Sequence, residues 1–327
     1  MTALKDNHGR TIDYLRLAIT DRCNLRCNYC MPAEGLSWLK RDEVLSFEEI
    51  ERLLNIFAGL GIRKLRFTGG EPFVRRDFHH LLTRVANSAK FESISITTNG
   101  VLTAPHVPLL KSLNIHSVNL SLDTTDAKRF ESITRRNEFS AVMRTLDELQ
   151  AADIPTKINA VIMEGVNEMD LIPLSLLSKD RPIDVRFIEE MPFNGRGDRH
   201  AMKWNRQGLL LALQEEFGEL TRIADGANST SENYAVDGHQ GHIGIIAAWS
   251  RTFCGTCNRA RLTPSGHMKT CLYGKNELDL RKDLRSGLSD EDIAQKIENA
   301  VQHKAIDGNQ AEQQRSPVEE SMATIGG

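Results

Sequence analysis

The sequence predicts an α/β fold: an incomplete parallel (β/α)6 barrel of the TIM type, followed by a C-terminal extension. Two observations predict it. From Tyr14 to Glu189, short β-branched or apolar runs alternate with longer amphipathic stretches, the pattern of parallel strands joined by covering helices. The chemically unusual residues gather just after the carboxyl ends of those runs, the edge at which parallel α/β folds build their sites.

In chain order, the expected strands run from Tyr14 to Ile19, Lys64 to Thr68, Ser93 to Thr97, Ser117 to Leu122, Lys157 to Ile162 and Asp184 to Ile188, each followed by a helical stretch. Ser46-Phe47-Glu48-Glu49 reads as a capping box opening the first helix, whose apolar face (Ile50, Leu53, Leu54, Phe57) ends at Gly59 and Gly61. Asp77 is placed to cap the helix that carries Phe78, Leu81, Leu82 and Val85. Cys23, Cys27 and Cys30 follow strand one; Gly69-Gly70-Glu71-Pro72 follows strand two; Thr97-Thr98-Asn99-Gly100 closes strand three; Ser121 and Asp123 close strand four; Glu189-Glu190-Met191-Pro192 follows strand six. After the glycine-rich turn Asn194-Gly195-Arg196-Gly197 the alternation fades, which divides the chain into 1–195 and 196–327. In the second part a helix is expected from Arg206 to Phe217, a second cysteine group at 254–271, a helix from Asp279 to Asn299, a polar flexible connector from His303 to Glu320, and a terminal Gly326-Gly327.

Composition narrows the function. With 41 Lys+Arg against 44 Asp+Glu, the net charge of −3 gives no field that would attract nucleic acid at large, so an anionic ligand has to be met by local arginines. No run of about 18 apolar residues suggests a membrane span, and the polar stretch from Met1 to Asp13 lacks the apolar centre of a signal peptide. A cytoplasmic protein without membrane or nucleic-acid partners is expected. In a reducing compartment, closely spaced cysteines are read as metal ligands before disulfides.

All six cysteines fall into two triplets, Cys23/Cys27/Cys30 and Cys254/Cys257/Cys271. The first admits a zinc site, a redox switch or a 4Fe-4S cluster. Zinc commonly wants a fourth protein ligand close by, and no histidine stands near. Three cysteines on a cubane leave one iron open to a small molecule. At the second triplet, His267 could complete a Cys3His zinc knuckle, against which stand the two arginines of Asn258-Arg259-Ala260-Arg261.

The spacing Cys-x-x-x-Cys-x-x-Cys, with Tyr29 directly before the third cysteine, resembles the signature of the radical S-adenosylmethionine (SAM) superfamily, and Gly-Gly-Glu-Pro after strand two is similar to its SAM-amine loop. The later pattern Cys-x-x-Cys-Asn-Arg-x-Arg-x-x-x-x-Gly, then Cys-Leu, resembles the auxiliary-cluster segment of the GTP 3',8-cyclase family of molybdenum cofactor biosynthesis. The resemblance runs from about Tyr14 to Arg285 and includes the terminal glycine pair.

This resemblance implies two 4Fe-4S clusters, on Cys23, Cys27 and Cys30 and on Cys254, Cys257 and Cys271, facing one cavity, with the second segment closing the barrel mouth. It implies SAM contacts at Tyr29, Gly70, Ser121 and Met191, and GTP contacts at Arg16, Arg66, Thr97, Lys157 and Arg259-Ala260-Arg261. Arginine forks and a lysine point charge match triphosphate oxygens, and Arg16 and Lys157 sit within apolar strands, where an unpaired charge is costly. The implied reaction is removal of hydrogen from C3' of GTP by an adenosyl radical and closure onto C8. A flavodoxin- or ferredoxin-type donor and the downstream cyclic pyranopterin monophosphate synthase are the implied partners, the chain itself being a monomer or homodimer. In the family the glycine tail threads toward the substrate pocket; here the stretch before it is acidic and lacks the arginine that the family pattern places close to the glycines.

Overall fold

The computed structural model describes residues 3–32, 34–191, 203–226, 228–314 and 321–326. Its strand and helix units follow one another as the alternation predicts. β1 (Tyr14–Ala18) leads through a long cysteine-bearing loop to α1 (Phe47–Gly59), β2 (Lys64–Thr68) to α2 (Phe78–Asn87), and β3 (Ser93–Thr98) to α3 (Val107–Ser112). β4 (Ser117–Ser121) leads to α4 (Ala127–Thr134) and α5 (Phe139–Ala151), β5 (Thr156–Ile162) to α6 (Leu171–Leu176), and β6 (Asp184–Glu189) to α7 (Arg206–Phe217). Then come β7 (Thr221–Arg222), β8 (Ser231–Ala235), β9 (His242–Ile246), β10 (Arg259–Leu262), β11 (His267–Lys269), β12 (Leu278–Asp279), α8 (Leu280–Arg285), α9 (Asp290–Gln302), α10 (Gly308–Gln313) and α11 (Met322–Ile325).

Among the described residues the strands form one open sheet in the order β12-β11-β10-β1-β2-β3-β4-β5-β6-β9-β8-β7. β1 to β6 run parallel, and β10 and β9 extend them in parallel, beside β1 and β6 respectively. An incomplete barrel is the outcome. The expected division at 195/196 does not separate two sheets, because residues beyond it supply both edges of the sheet that the first part begins.

Side chains alternate across each strand. One face (Leu15, Leu17, Leu65, Phe67, Val118, Leu120) is buried under the helices, each large side chain contributing about 1.5–3 kcal/mol relative to exposure. The opposite face carries Arg16, Arg66, Thr97, Asn119, Asn159 and Arg186, aligned by the registers of β1 to β6. Strands buried on both sides of a parallel sheet are usually apolar throughout; here the inner face is polar because it lines a cavity.

The capping box is present: Glu49 N donates to Ser46 Oγ (3.1 Å) and Ser46 N to Glu49 Oε2 (2.7 Å). Asp77 departs from expectation. It takes a left-handed backbone (φ 63°) and its carboxylate makes no cap bond, standing instead 3.5 Å from Arg76 Nε. The helix expected from Asp279 to Asn299 is two helices, because Gly287 turns the chain at φ 81° and Ser289 recaps it, accepting from Asp292 N at 3.1 Å. The expected connector from His303 is ordered at its start, where Asp307 caps α10 by accepting from Asn309 N (2.9 Å) and Gln310 N (2.8 Å). Its polar composition hid that cap. Pro192, the turn Asn194 to Gly197, residues 315–320 and Gly327 lie outside the described residues.

Candidate active site

The loop after β1 carries the first triplet. Cys23, Cys27 and Cys30 are half-buried and free of disulfides, and the loop folds back so that Cys30 N and Met31 N both donate to Cys27 O (3.0 and 2.9 Å). Burial pushes the Cys23 thiol up to about 12 and the Cys30 thiol up to about 11, and raises Cys27 well above its ordinary value. Thiols so placed become thiolates only when a cation arrives to hold them, which suits a metal centre and not a reactive free cysteine.

The Gly-Gly pair after β2 is explained by this loop. A Cβ on Gly70 would lie 2.3 Å from Arg22 O, and Gly69 (φ 152°) would place one 2.5 Å from Thr20 O; only glycine lets the two loops meet. Glu71 points away from the cavity. It is fully buried and ties the ends of β2 and β3 together, accepting from Thr98 Oγ1 (2.8 Å) and Asn99 N (2.7 Å); burial outweighs these bonds and pushes its carboxyl up to about 7.

A cavity opens over the first triplet, and Tyr29, Gly70, Ser121 and Met191 all line it. So does Thr97, expected at the other end of the site. Tyr29 is steered by Asp123, a residue to which the sequence assigned no role: the phenol donates to Oδ2 at 3.0 Å while Oδ1 accepts from Val161 N at 2.9 Å.

The second cavity is lined by Cys254, Cys257 and Cys271 and by five arginines, Arg16, Arg66, Arg186, Arg259 and Arg261. Asn159, Ile188, Met191 and Met322 line both cavities, so the barrel interior joins one triplet to the other. β10 runs parallel to β1 with Arg259 beside Tyr14, so Cys257 enters at the end of the sheet where β1 begins, whereas Cys23 follows the end where β1 finishes. The second triplet therefore lies at the end of the barrel opposite the first.

The arginines repel one another. Burial, and then the Arg261 and Arg66 guanidiniums, lower Arg16 well below its usual value; burial, with Arg66 next, lowers Arg186 to about 10, and burial, with Arg259 next, does the same for Arg261. Arg66 Nε, Arg186 Nε and one terminal nitrogen of Arg186, Thr97 Oγ1 and Asn159 Oδ1 have no hydrogen-bond partner among the described residues. Buried groups of this kind call for a polar, anionic ligand. Arg186 was missed in the sequence, although Val185-Arg186-Phe187 sets a charge inside an apolar strand just as Arg16 does in β1.

Two expected GTP contacts stand elsewhere. Lys157 lines neither cavity and pairs with Asp184 at 3.1 Å, the partner on β6 offsetting the charge that its apolar strand left uncompensated. Ala260 faces outward, buried in the core opposite Leu15, since it alternates with Arg259 and Arg261. His267 turns to Ser265 Oγ (2.9 Å) and Asp279 (3.8 Å), and among the described residues no three His, Cys, Asp or Glu side chains converge on a point that one ion could occupy. A cubane asks for a wider triangle, one iron per thiolate. Burial pushes the Cys257 thiol up, but the Lys304 ammonium, the Arg259 guanidinium and its hydrogen bonds outweigh it and pull Cys257 down to about 6.

The C-terminal segment does reach the mouth through its tail. Ser321 Oγ donates to Cys30 O at 2.6 Å, Met322 and Ala323 line the first cavity, and the Arg261 guanidinium donates to Gly326 O. The arginine missing from the tail itself is supplied from β10. Gly326 has φ 80°, and a Cβ there would stand 2.8 Å from Ala18 Cβ and 3.0 Å from Thr68 Cγ2. Gly326→Ala is expected to slow turnover about tenfold, the scale of a strain near 1.4 kcal/mol, with little change in thermal midpoint. A variant that turns over at the parent rate removes the tail from the site.

Comparison with known proteins decides the family. Residues 17–175 match the Radical SAM superfamily model and residues 183–309 match Molybdenum Cofactor Synthesis C. The GTP 3',8-cyclase of Desulforamulus reducens is 39% identical over 307 residues, 91% of this chain and 93% of its own length. This chain belongs to the GTP 3',8-cyclase family. The mitochondrial GTP 3',8-cyclase of Arabidopsis thaliana is 39% identical over 92% of this chain and 77% of its own length. The chain spans about half of the human molybdenum cofactor biosynthesis protein 1, at 38% identity and 48% of that protein. Among solved structures, Streptococcus suis SuiB superposes with a TM-score of 0.62 at 14% identity, over 85% of this chain and 66% of SuiB, which shows the shared fold. As a cyclase family member the chain is a radical SAM enzyme of the first step of molybdenum cofactor biosynthesis, a family that uses a 4Fe-4S cluster and SAM. The first triplet, its glycine cradle and the adjoining cavity fit those groups.

Proposed function

We propose that the two cavities divide the work of GTP 3',8-cyclisation. Cys23, Cys27 and Cys30 hold the cluster that binds SAM, with Tyr29, Gly70, Ser121 and Met191 against SAM. Cys254, Cys257 and Cys271 hold a second 4Fe-4S cluster that takes the guanine, and Arg16, Arg66, Arg186, Arg259 and Arg261 hold the triphosphate. When bound, the first cluster and SAM supply a 5'-deoxyadenosyl radical. The chain's own part is placement: the guanidiniums fix the phosphates, Asp123 fixes the Tyr29 ring, and the tail from Ser321 to Gly326 excludes water from the mouth. Holding a reacting carbon within reach of a reagent supplies much of the rate in such a site.

The observation that carries this reading is the convergence of five arginines in a cavity that joins the first triplet through Asn159 and Met191. A triphosphate is a ligand that offsets so much like charge. A flavodoxin- or ferredoxin-type protein supplies electrons, the next pathway enzyme, cyclic pyranopterin monophosphate synthase, receives the product, and the compartment is the cytoplasm; among the described residues no helix is long and apolar enough to cross a membrane. The test is anaerobic reconstitution followed by incubation with SAM, dithionite and GTP. The expected products are 5'-deoxyadenosine and a GTP isomer of unchanged mass. Loaded protein that neither binds GTP nor yields the isomer overturns the assignment.

A further inference from the structure

Lys304 follows α9 in a stretch whose composition suggests a solvated connector, yet its side chain is buried at 3% exposure. Its ammonium donates to the backbone carbonyls of Arg259 (3.1 Å) and Thr270. Arg259 stands two residues after Cys257, and Thr270 directly precedes Cys271. A single cation therefore fastens together the two segments that bring these cysteines to the cavity. Arg10 fixes the same segment from the other side, donating to Cys254 O (3.0 Å), Ala305 O (2.6 Å) and Ile306 O (2.7 Å).

A buried ammonium is expensive unless something anionic compensates it. Among the described residues Lys304 forms no ion pair. Glu277, the nearby carboxylate, is itself engaged by Thr270, accepting from Oγ1 at 2.6 Å and from N at 3.2 Å. Arg259 adds a second positive charge on the same side. Glu277, whose carboxylate Lys304 also favours, shares the role of compensating Lys304 with Cys257 and the ligands beside it.

We propose that Lys304 is a positioning residue of the second triplet: it holds Cys257 and Cys271 at their spacing and sets a fixed positive charge beside the centre they carry, which makes that centre easier to reduce. The proposal rests on the reading that this triplet carries an iron–sulfur cluster. Net charge and hydrogen bonding around the ligand sulfurs set the potential of such centres.

The experiment uses the full-length chain with Cys23, Cys27 and Cys30 all replaced by Ala, so that iron enters the second site alone, and compares Lys304→Met and Lys304→Arg with that parent. Iron and sulfide content, far-UV circular dichroism and a redox titration followed by electron paramagnetic resonance are measured. Lys304→Met is expected to shift the midpoint to more negative potential, and Lys304→Arg to keep the parent value. An unchanged midpoint in a loaded Lys304→Met protein overturns the proposal, as does a Lys304→Arg midpoint as negative as that of Met. If Lys304→Met takes up no iron, retention by Lys304→Arg upholds the role of the charge, and loss in both overturns it. A parent that carries no iron refutes the second cluster itself, an outcome separate from any effect of Lys304.

Discussion

Cys27→Ala is expected to abolish SAM cleavage, whereas Cys257→Ala retains much of it and loses GTP cyclisation by roughly 100-fold or more, the scale of a misplaced reacting group. The asymmetry follows from the two ends of the barrel. Cys27 lies in the loop after β1 beside the Gly69-Gly70 cradle and Tyr29, and its loss leaves the first centre with two thiolates. Cys257 stands at the opposite end among the arginines, in a cavity that shares Met191 alone with the residues expected to touch SAM. Quantifying 5'-deoxyadenosine and cyclised product in the same reaction separates the two. Equal loss of deoxyadenosine in both variants contradicts the division of labour.

Arg186→Ala is expected to raise the GTP dissociation constant by roughly 10- to 100-fold, the scale of one or two hydrogen bonds to a charged group, and to leave the thermal midpoint unchanged or higher. The opposite signs are the informative part. Burial first, then the Arg66 guanidinium, lowers Arg186 to about 10, so at neutral pH the folded chain holds this charge at a cost. That cost is present below the folded pKa and fades as pH rises through about 10. Removing the side chain relieves the empty cavity and deprives the filled one. Calorimetric titration with GTP and a melting curve on one sample check both signs. A fall in midpoint with unchanged GTP affinity makes Arg186 a structural residue.

Most of the barrel could be read from sequence because alternation and caps are local: each expected strand lies within one residue of its observed bounds, and Arg206–Phe217 is the observed helix. The site was legible where a residue's type is its chemistry, as in the cysteines and the Gly-Gly turn. It was less legible where pairing across the sheet decides. Lys157 looked like a lone charge until β6 placed Asp184 opposite it. Asp123 reads as a strand-end turn residue until the fold brings Tyr29 to it. Lys304 lies in a polar stretch, and only the return of that stretch onto β10 makes it buried. Asp77 shows the limit of a local rule, since a left-handed backbone turned its carboxylate away from the helix it precedes.

The pairing of β1 with β10, and of β6 with β9, has a consequence for synthesis on the ribosome. Until the last third of the polypeptide emerges, β1 and β6 offer bare strand edges to any neighbouring chain. Assembly of the second cysteine triplet at the far end of the barrel, and the seating of the tail against Cys30, must wait for that late addition, so interruption of translation in this region leaves an adhesive fragment with an unfinished site.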